Sequence, residues 1–259
     1  MDGYETQSSP AERRCGVSWT LNHGDCLEGL RTLADKSVDV CLMDPPYEAE
    51  AHTKQRRTKR GDVCVTEDLP FAAITEAQRI EVAWHVARVT RRWVLTFCQV
   101  EGAPQWRSAL VSAPFGHEYV RTMVWVKPDA MPQFTGDRPG MGYESIVVTH
   151  PKGRKVWNGG GRVGVFEHNK NGSPGPAPHP TTKPLPLMRE LVSLFSDPGE
   201  LVLDPFAGSG STGVACGMLG RRFIGWELDA NYYEIARRRL SGDEAKPRPE
   251  QPSLFGRAL

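Results

Sequence analysis

Short apolar runs alternate with helical repeats along most of this chain. The runs predict buried strands, at 38–43, 93–98, 123–126, 146–148, 201–203 and 223–226. Apolar residues three or four positions apart predict helices, at 27–33, 75–89, 187–195, 212–219 and 232–240. The alternation predicts an α/β fold over 18–240, a mainly parallel twisted sheet with helices on both faces, as in Rossmann-like domains.

Two of the predicted helices begin with capping signals. Asp25 stands directly before the first repeat and suits an N-cap. Thr75 and Gln78 have the spacing of a capping box. The helix that follows Thr75 is expected to carry Ile80, Ala83, Val86 and Val89.

Three stretches lack this periodicity. Residues 1–17 and 241–259 are polar and proline-rich, and we expect them to be disordered. Residues 151–180 are rich in glycine and proline. An irregular segment of that length inside a compact domain is usually functional or disordered.

Composition limits the function classes. The 259 residues carry a net charge of only +1, and the six cysteines are scattered without a Cys-x-x-Cys pair. Zinc and disulfide frameworks are therefore not expected, and a reducing cytoplasm fits best. The N-terminus resembles no signal peptide, and no apolar stretch is long enough to span a membrane.

Positive charge is concentrated in two places, which suit either phosphate binding or a solvated loop. The first patch contains Lys54, Arg56, Arg57, Lys59 and Arg60. The second contains Lys152, Arg154, Lys155, Arg162 and Lys170.

A nucleotide-like cofactor site is predicted near the C-terminus. The strand ending at Asp204 leads into a turn that contains Gly208 and Gly210, and a helix follows. Glycines let a ligand approach the backbone, and the helix N-terminus offers free N–H groups. Glu227 closes the next strand about 20 residues on, where a carboxylate can bind ribose hydroxyls.

A second candidate site is Asp44-Pro45-Pro46-Tyr47, directly after a predicted strand. An aromatic exocyclic amine is a poor nucleophile, and two acceptors for its N–H bonds help its nitrogen become pyramidal. The Asp44 carboxylate and the Pro45 carbonyl suit this task, and the two prolines hold the backbone rigid. Tyr47 offers an aromatic ring on which a flat, amine-bearing ring can stack. Taken alone, the tetrapeptide is also compatible with an ordinary proline-rich turn.

Together the two motifs resemble the amino-methyltransferases of DNA. The resemblance implies S-adenosyl-L-methionine as cofactor, with Asp204 in its motif and the methionine part wrapped by Phe206, Ala207, Gly208, Ser209, Gly210 and Ser211. It also implies that Glu227 binds the ribose and that Thr182 and Lys183 hold the amino-acid end. Gly24-Asp25-Cys26 resembles the element whose acid accepts from the cofactor's adenine. For Cys26 a small buried residue is the simpler interpretation.

The order of the two motifs along the chain narrows the resemblance to one class of these methyltransferases. The catalytic motif precedes the cofactor motif, as in the beta class, a circular rearrangement of the methyltransferase fold. In that class the intervening region recognises the target, which here implies an inserted recognition region at 127–177. Candidate DNA contacts within it are Arg138, Lys152, Arg154, Lys155, Trp157 and Arg162. The basic run Lys54 to Arg60 is expected on a mobile loop over the flipped base.

The resemblance implies methyl transfer to the N6 amine of adenine in double-stranded DNA. Cytosine N4 is the first alternative, since both amines require the same acceptors. A methyltransferase of another amine or amide and a non-catalytic DNA-binding relic are further alternatives. The absent Pro-Cys dipeptide removes the nucleophile of cytosine C5 methylation and the zinc deaminase signature. A homodimer and a cognate restriction enzyme are partners that the family allows, and no membrane partner is expected.

Overall fold

The structure, a computed structural model, describes residues 12–14, 17–46, 56–60, 63–67, 73–134, 136–170 and 182–243. It describes the backbone alone at 12–14, 17, 56–60 and 63–67. Tyr47, Lys54, residues 1–11 and the tail from 244 lie outside the described residues, so the expectations for them stay predictions.

Eleven strands, six α-helices and one 3-10 helix, Val100–Gly102, are described. The strands are β1 Glu12–Arg14, β2 Val17–His23, β3 Val40–Met43, β4 Arg56–Arg60, β5 Val63–Glu67, β6 Val94–Cys98, β7 His117–Val126, β8 Tyr143–Pro151, β9 Val165–Glu167, β10 Leu201–Asp204 and β11 Arg222–Glu227. The helices are α1 Cys26–Thr32, α2 Glu76–Val89, α3 Ala103–Ser112, α4 Leu185–Phe195, α5 Ser211–Leu219 and α6 Ala230–Ser241.

Nine strands form one mixed, mainly parallel sheet in the order β1-β2-β11-β10-β3-β6-β8-β7-β9. From β2 to β6 all neighbours are parallel. Strand β8 runs antiparallel to both β6 and β7. The predicted fold class is confirmed, and the carboxyl ends of the parallel strands share one edge, here called the catalytic edge.

Helices cover both faces of the sheet, which explains the continuous apolar runs of the inner strands. In β3, Val40 and Leu42 face the core beneath α4, α5 and α6. Cys41 and Met43 face the core beneath α1, α2 and α3. The alternation of strand side chains thus fills two cores from one short segment.

Both capping predictions are confirmed. Asp25 caps α1, and Thr75 with Gln78 forms a capping box at α2. Of the apolar residues that this helix carries, Ile80 is 52% exposed. The buried stripe of α2 passes through Arg79, Val82 and Val86 instead.

Other segments are more ordered than predicted. Strand β1 lies within the arm that was expected to be disordered, and β9 within the irregular segment. The range 127–177 includes β8, an inner strand of the sheet. Arg56–Arg60 is strand β4, paired with β5 in a hairpin, and is not a loop.

Candidate active site

The two sequence motifs lie side by side at the catalytic edge. Asp204 ends β10 and Asp44 follows β3, and these strands are parallel neighbours with Leu203 opposite Cys41. The chain leaves β10 toward β11 on one side and β3 toward β6 on the other. Such a switch point is where open α/β sheets bind their ligands.

The turn after β10 leaves open space for a ligand. Gly208 and Gly210 have φ of +53° and +82°, which disfavours other residues. A Cβ on Gly210 would meet the Ala236 Cβ at 3.0 Å, so this glycine lets α6 pack closely. At Gly208 the nearest atom to an added Cβ is the Phe206 carbonyl oxygen at 4.0 Å. The Gly208 side of the turn is therefore an open cradle.

Asp204 stabilises this turn from inside. Its Oδ1 accepts from the Phe206 N–H at 3.0 Å and its Oδ2 from the Thr212 hydroxyl at 2.5 Å. Burial raises its pKa to about 7. Both oxygens are used within the turn, so the described contacts of Asp204 are structural.

Glu227 faces the same turn from the end of β11. Its Oε2 accepts from the Gly208 N–H and its Oε1 from the Asp229 N–H, each at 2.8 Å. Burial raises its pKa. Each carboxylate oxygen has a further lone pair, so the predicted ribose contact is compatible with this geometry.

Arg239 is a residue of the site that sequence reasoning missed. Its buried guanidinium donates to the Ser209 carbonyl at 2.7 Å, to the Ser209 hydroxyl at 3.0 Å and to the Ser211 hydroxyl at 3.4 Å. It therefore holds the turn from α6. Arg237 and Arg238 precede it in an ordinary basic run, so no local signal singles it out.

Asp25 and Cys26 begin α1 beside this turn. Asp25 accepts from the Leu27 N–H at 2.8 Å, which is its capping role. The Gly24 N–H donates to the Glu227 carbonyl at 2.9 Å and so joins this corner to β11. Cys26 is buried, and burial raises the pKa of its thiol to about 12. The expected contact of Asp25 with adenine stays a prediction.

Thr182 and Lys183 connect the cofactor turn to the catalytic motif. The Thr182 hydroxyl lies 3.2 Å from the Ser209 hydroxyl. The next residue, Lys183, donates from Nζ to Oδ2 of Asp44. The resemblance assigns Lys183 to the cofactor, but its ammonium donates to the Asp44 carboxylate here.

One of the two carboxylate oxygens of Asp44 has no hydrogen-bond donor among the described residues. This oxygen, Oδ1, is buried. Burial raises the Asp44 pKa, against the opposing effect of Lys183. The neighbouring Pro45 is buried, so the motif is held firmly on the sheet.

Two further charged residues complete this cluster, and sequence reasoning missed their role. Glu144 Oε2 lies 3.3 Å from Lys183 Nζ, and Glu144 Oε1 lies 2.5 Å from Lys127 Nζ. Burial alone would raise the Glu144 pKa, but the two lysines hold it below its ordinary value. Asp44, Lys183, Glu144 and Lys127 thus form a row of alternating charges, called here the charge row.

Three residues of the second basic patch, Lys152, Arg154 and Lys155, lie away from this cluster. Strand β8 begins at the catalytic edge, with Ser145 opposite Cys98, and ends at Pro151. Six residues of strand span about 20 Å. The residues after β8 therefore begin at the opposite edge of the sheet, which argues against contact with a base at Asp44 for Lys152, Arg154 and Lys155.

Trp157 and Arg162 are used in packing. The Trp157 ring lies 5.5 Å from the Phe195 ring, and its Nε1 donates to the Gly160 carbonyl at 3.0 Å. Arg162 forms an ion pair with Glu190 on α4. These contacts support the fold and leave a DNA role for both residues without structural support.

The loop that joins β7 to β8 is described at 127–134 and 136–142, and both of its ends lie at the catalytic edge. Arg138 is on this loop and pairs with Asp137 at 2.8 Å. The Phe134 side chain is 80% exposed, and Met131 is also exposed. Contiguous exposed apolar patches mark binding surfaces, whereas single exposed apolar residues are normal, so these two exposures alone do not assign a function to the loop.

Among the described residues, no group of acidic, histidine and cysteine side chains could hold a metal ion. Within the same residues, no helix has the length and apolarity to cross a membrane.

Comparisons with known proteins agree with this geometry. The family model N6_N4_Mtase, described as DNA methylase, matches residues 38–238. The type II methyltransferase M.HinfI of Haemophilus influenzae is 27% identical over 91% of this chain and 71% of its own. The type II methyltransferase M.Cfr9I of Citrobacter freundii is 34% identical over 54% of this chain and 50% of its own, so the chain spans about half of that relative.

Solved structures share the fold. The M1.HpyAVI–SAM complex matches with a TM-score of 0.65 at 24% identity, covering 86% of this chain and 98% of that one. The cytosine-N4-specific PvuII DNA methyltransferase matches with a TM-score of 0.66 at 16% identity, covering 85% and 86%. These likenesses identify a Rossmann-like methyltransferase fold.

Proposed function

The chain belongs to the DNA methylase family N6_N4_Mtase, and on that premise we propose that it methylates the N6 amine of adenine in double-stranded DNA. The choice of adenine over cytosine rests on the resemblance of Asp44-Pro45-Pro46-Tyr47 to the family's motif, and the observation that carries methylation of an amine is the Asp44 carboxylate. Its Oδ2 is engaged by Lys183, while its buried Oδ1 is left to accept an N–H bond.

The chemistry of an exocyclic amine explains why such an acceptor is needed. The nitrogen lone pair is delocalised into the ring, and an N–H bond held by Oδ1 helps the nitrogen become pyramidal. The Pro45 carbonyl is proposed as the second acceptor. Once the nitrogen has gained a methyl group it is acidic, and its proton passes to Asp44 Oδ1. Preorganised acceptors of this kind reduce the barrier because they need no reorganisation during the reaction.

The turn after β10 fits the proposed cofactor, S-adenosyl-L-methionine. The open side of Gly208 leaves room for a ligand against the backbone, and Glu227 has lone pairs for hydroxyl groups. Phe206 to Ser211 and Glu227 would hold the cofactor, with Asp25 at its adenine end. When bound, the cofactor supplies an activated methyl group.

The base must leave the DNA helix to reach Asp44, because its amine is otherwise paired. We place Tyr47 as its stacking platform, on the strength of the motif. The loop 127–142, with Phe134 and Arg138, and the basic hairpin strand β4 are proposed to contact the DNA around the extruded base.

Two partners beyond DNA are proposed from likeness alone. The relatives M.HinfI and M.Cfr9I are type II methyltransferases by name, which supports a cognate restriction enzyme. A homodimer rests on the resemblance to the beta class.

Nucleoside analysis tests the proposal. Unmethylated plasmid DNA is incubated with the purified protein and S-adenosyl-L-methionine, digested to nucleosides and measured by mass spectrometry. We expect N6-methyldeoxyadenosine, and none when the cofactor is omitted. N4-methyldeoxycytidine would support the alternative of the same chemistry on cytosine. Absence of both products would contradict a DNA amino-methyltransferase.

A further inference from the structure

Asp44 can accept a hydrogen bond from the substrate amine only if one of its carboxylate oxygens is kept away from Lys183. Lys183 engages Oδ2, and Oδ1 stays without a described donor. A lysine ammonium sits on a flexible stem with three rotatable donors. Something must therefore keep this ammonium on one side of the carboxylate.

Glu144 lies where it can do so. Its Oε2 forms an ion pair with Lys183 Nζ at 3.3 Å, a contact outside hydrogen-bond geometry. Glu144 lies at the start of β8, opposite Trp125, and its side chain is buried. Its position is thus set by an inner strand of the sheet.

Lys127 holds Glu144 in turn. The two form an ion pair at 2.5 Å, and the Lys127 backbone N–H donates to the Gly142 carbonyl at 2.8 Å. Each lysine also lies over an aromatic ring, Lys127 at 4.7 Å from Trp125 and Lys183 at 5.0 Å from Phe97. The charge row is therefore restrained along its whole length.

We propose that Glu144 is a positioning residue for methyl transfer: it holds the Lys183 ammonium on Oδ2 of Asp44 and so keeps Oδ1 for the substrate amine. The inference rests on the proposed function and deepens it. Glu144 acts through Lys183 and does not touch the base.

The electrostatics of the charge row predict that Glu144 affects the pH dependence of activity. The charged groups that face Asp44 are Lys183, Glu144 and Lys127, and the Asp204 carboxyl interacts with it from β10. The Glu144 charge raises the Asp44 pKa, against the effect of Lys183. Activity requires ionised Asp44 and is lost as the pH falls through its pKa. Removing the Glu144 charge should therefore move this acid limb to lower pH.

The test is the variant Glu144→Gln, measured for methyl transfer to DNA and for cofactor binding. We expect kcat to fall on the order of 10- to 100-fold, as misplacement of a catalytic group does. The dissociation constant for S-adenosyl-L-methionine should stay within about twofold, and the acid limb of kcat should move to lower pH. Glu144→Asp, which keeps the charge, should regain part of the rate.

Glu118→Gln is the matched control, since it removes a lysine–glutamate pair with Lys155 near the opposite end of β7. It should leave kcat and the pH profile unchanged. If the wild type is active and Glu144→Gln has the same kcat and the same acid limb, the role of Glu144 is overturned. The proposed function is not affected by that result. An inactive wild type would overturn the proposed function and this inference together.

A double variant covers the case in which Glu144→Gln fails to fold, because losing one partner leaves buried charge uncompensated. Lys127→Met with Glu144→Gln removes one charge of each sign and leaves Lys183 paired with Asp44. If Glu144 positions Lys183, the folded double variant keeps the low kcat. If Glu144 only balances charge, the double variant regains the wild-type rate, which would refute the proposal.

Discussion

At the residue scale, the three carboxylates of the site differ in how their oxygens are used. Asp204 uses both oxygens inside the turn that it ends. Glu227 binds two backbone N–H groups at the edge of the cradle. Asp44 has one oxygen on Lys183 and one without a described donor. These contacts favour a structural, a ligand-binding and a catalytic role, respectively.

The structural role of Asp204 predicts a pH effect on stability. Its pKa of about 7 in the folded protein lies above the ordinary value of 3.8. The unfolded chain releases this proton first, so the free energy of unfolding falls as the pH rises from about 4 to 7. Asp204→Asn should remove this loss, which amounts to up to a few kcal/mol. Urea unfolding without cofactor, at several pH values, measures it.

Asp35→Asn is the control, because Asp35 is an exposed partner of Arg88. The free energy of unfolding of this variant should change with pH as that of the wild type does. A difference between Asp204→Asn and wild type that does not change with pH would show that Asp204 carries no such proton.

Glu227→Ala tests the ligand-binding role. Hydrogen bonds to charged groups are worth about 1.5–3 kcal/mol, so the affinity for S-adenosyl-L-methionine should fall roughly 10- to 100-fold. Titration calorimetry measures the dissociation constant, and thermal unfolding confirms that the variant is folded. An unchanged constant in the folded variant would refute the ribose contact.

At the scale of elements, the sequence predicts those that carry their own signals. The capping box at Thr75 marks the start of α2, and the run 201–203 becomes β10. Strand β9 has three residues with only Phe166 buried, and it forms because β7 offers a free edge. Its local sequence has no period to detect. Strand β4 is also unpredictable, because charged residues dominate it.

The hairpin strand β4 is expected to bind phosphates. Replacing Arg56, Arg57, Lys59 and Arg60 by alanine should weaken DNA binding and flatten its salt dependence. Each lost phosphate contact should reduce the log–log salt slope by about 0.9. Sequence preference should survive, because phosphate contacts position the protein without specifying bases. Binding titrations at several salt concentrations measure both effects.

The opposite edge of the sheet provides the control. Replacing Lys152, Arg154 and Lys155 by alanine should leave the salt slope nearly unchanged, since these residues follow the far end of β8. Equal slopes in wild type and the β4 variant would mean that the hairpin charges do not meet phosphates.

The loop 127–142 is expected to contact bases through Phe134. Because this side chain is 80% exposed, Phe134→Ala should cost little stability. Aromatic stacking on a base is worth about 1–3 kcal/mol, so DNA affinity should fall roughly 5- to 100-fold. Val163→Ala, at another exposed apolar residue, should bind DNA as the wild type does. Equal affinity in the Phe134 variant would exclude the contact.

At the scale of the whole molecule, the site depends on sheet order, which local patterns do not contain. Asp44 and Lys183 are 139 residues apart in sequence. They meet because β10 lies beside β3 and the segment before α4 crosses the catalytic edge. The two sequence motifs, with their resemblance to the DNA amino-methyltransferases, predicted the open turn at Gly208 and the carboxylate of Asp44. The charge row and the remote position of Lys152, Arg154 and Lys155 follow only from strand neighbours and directions.

The most direct test of the account is methyl transfer by Asp44→Ala. Single-turnover reactions with unmethylated DNA compare the variant with the wild type, and calorimetry gives the affinity of each for S-adenosyl-L-methionine. Because Oδ1 is assigned to the amine in the transition state, the rate should fall on the order of 100-fold or more. The cofactor affinity should stay within about twofold, since the described contacts of the cofactor turn do not include Asp44. A variant that transfers methyl groups at nearly the wild-type rate would contradict the assignment of Asp44 as the acceptor.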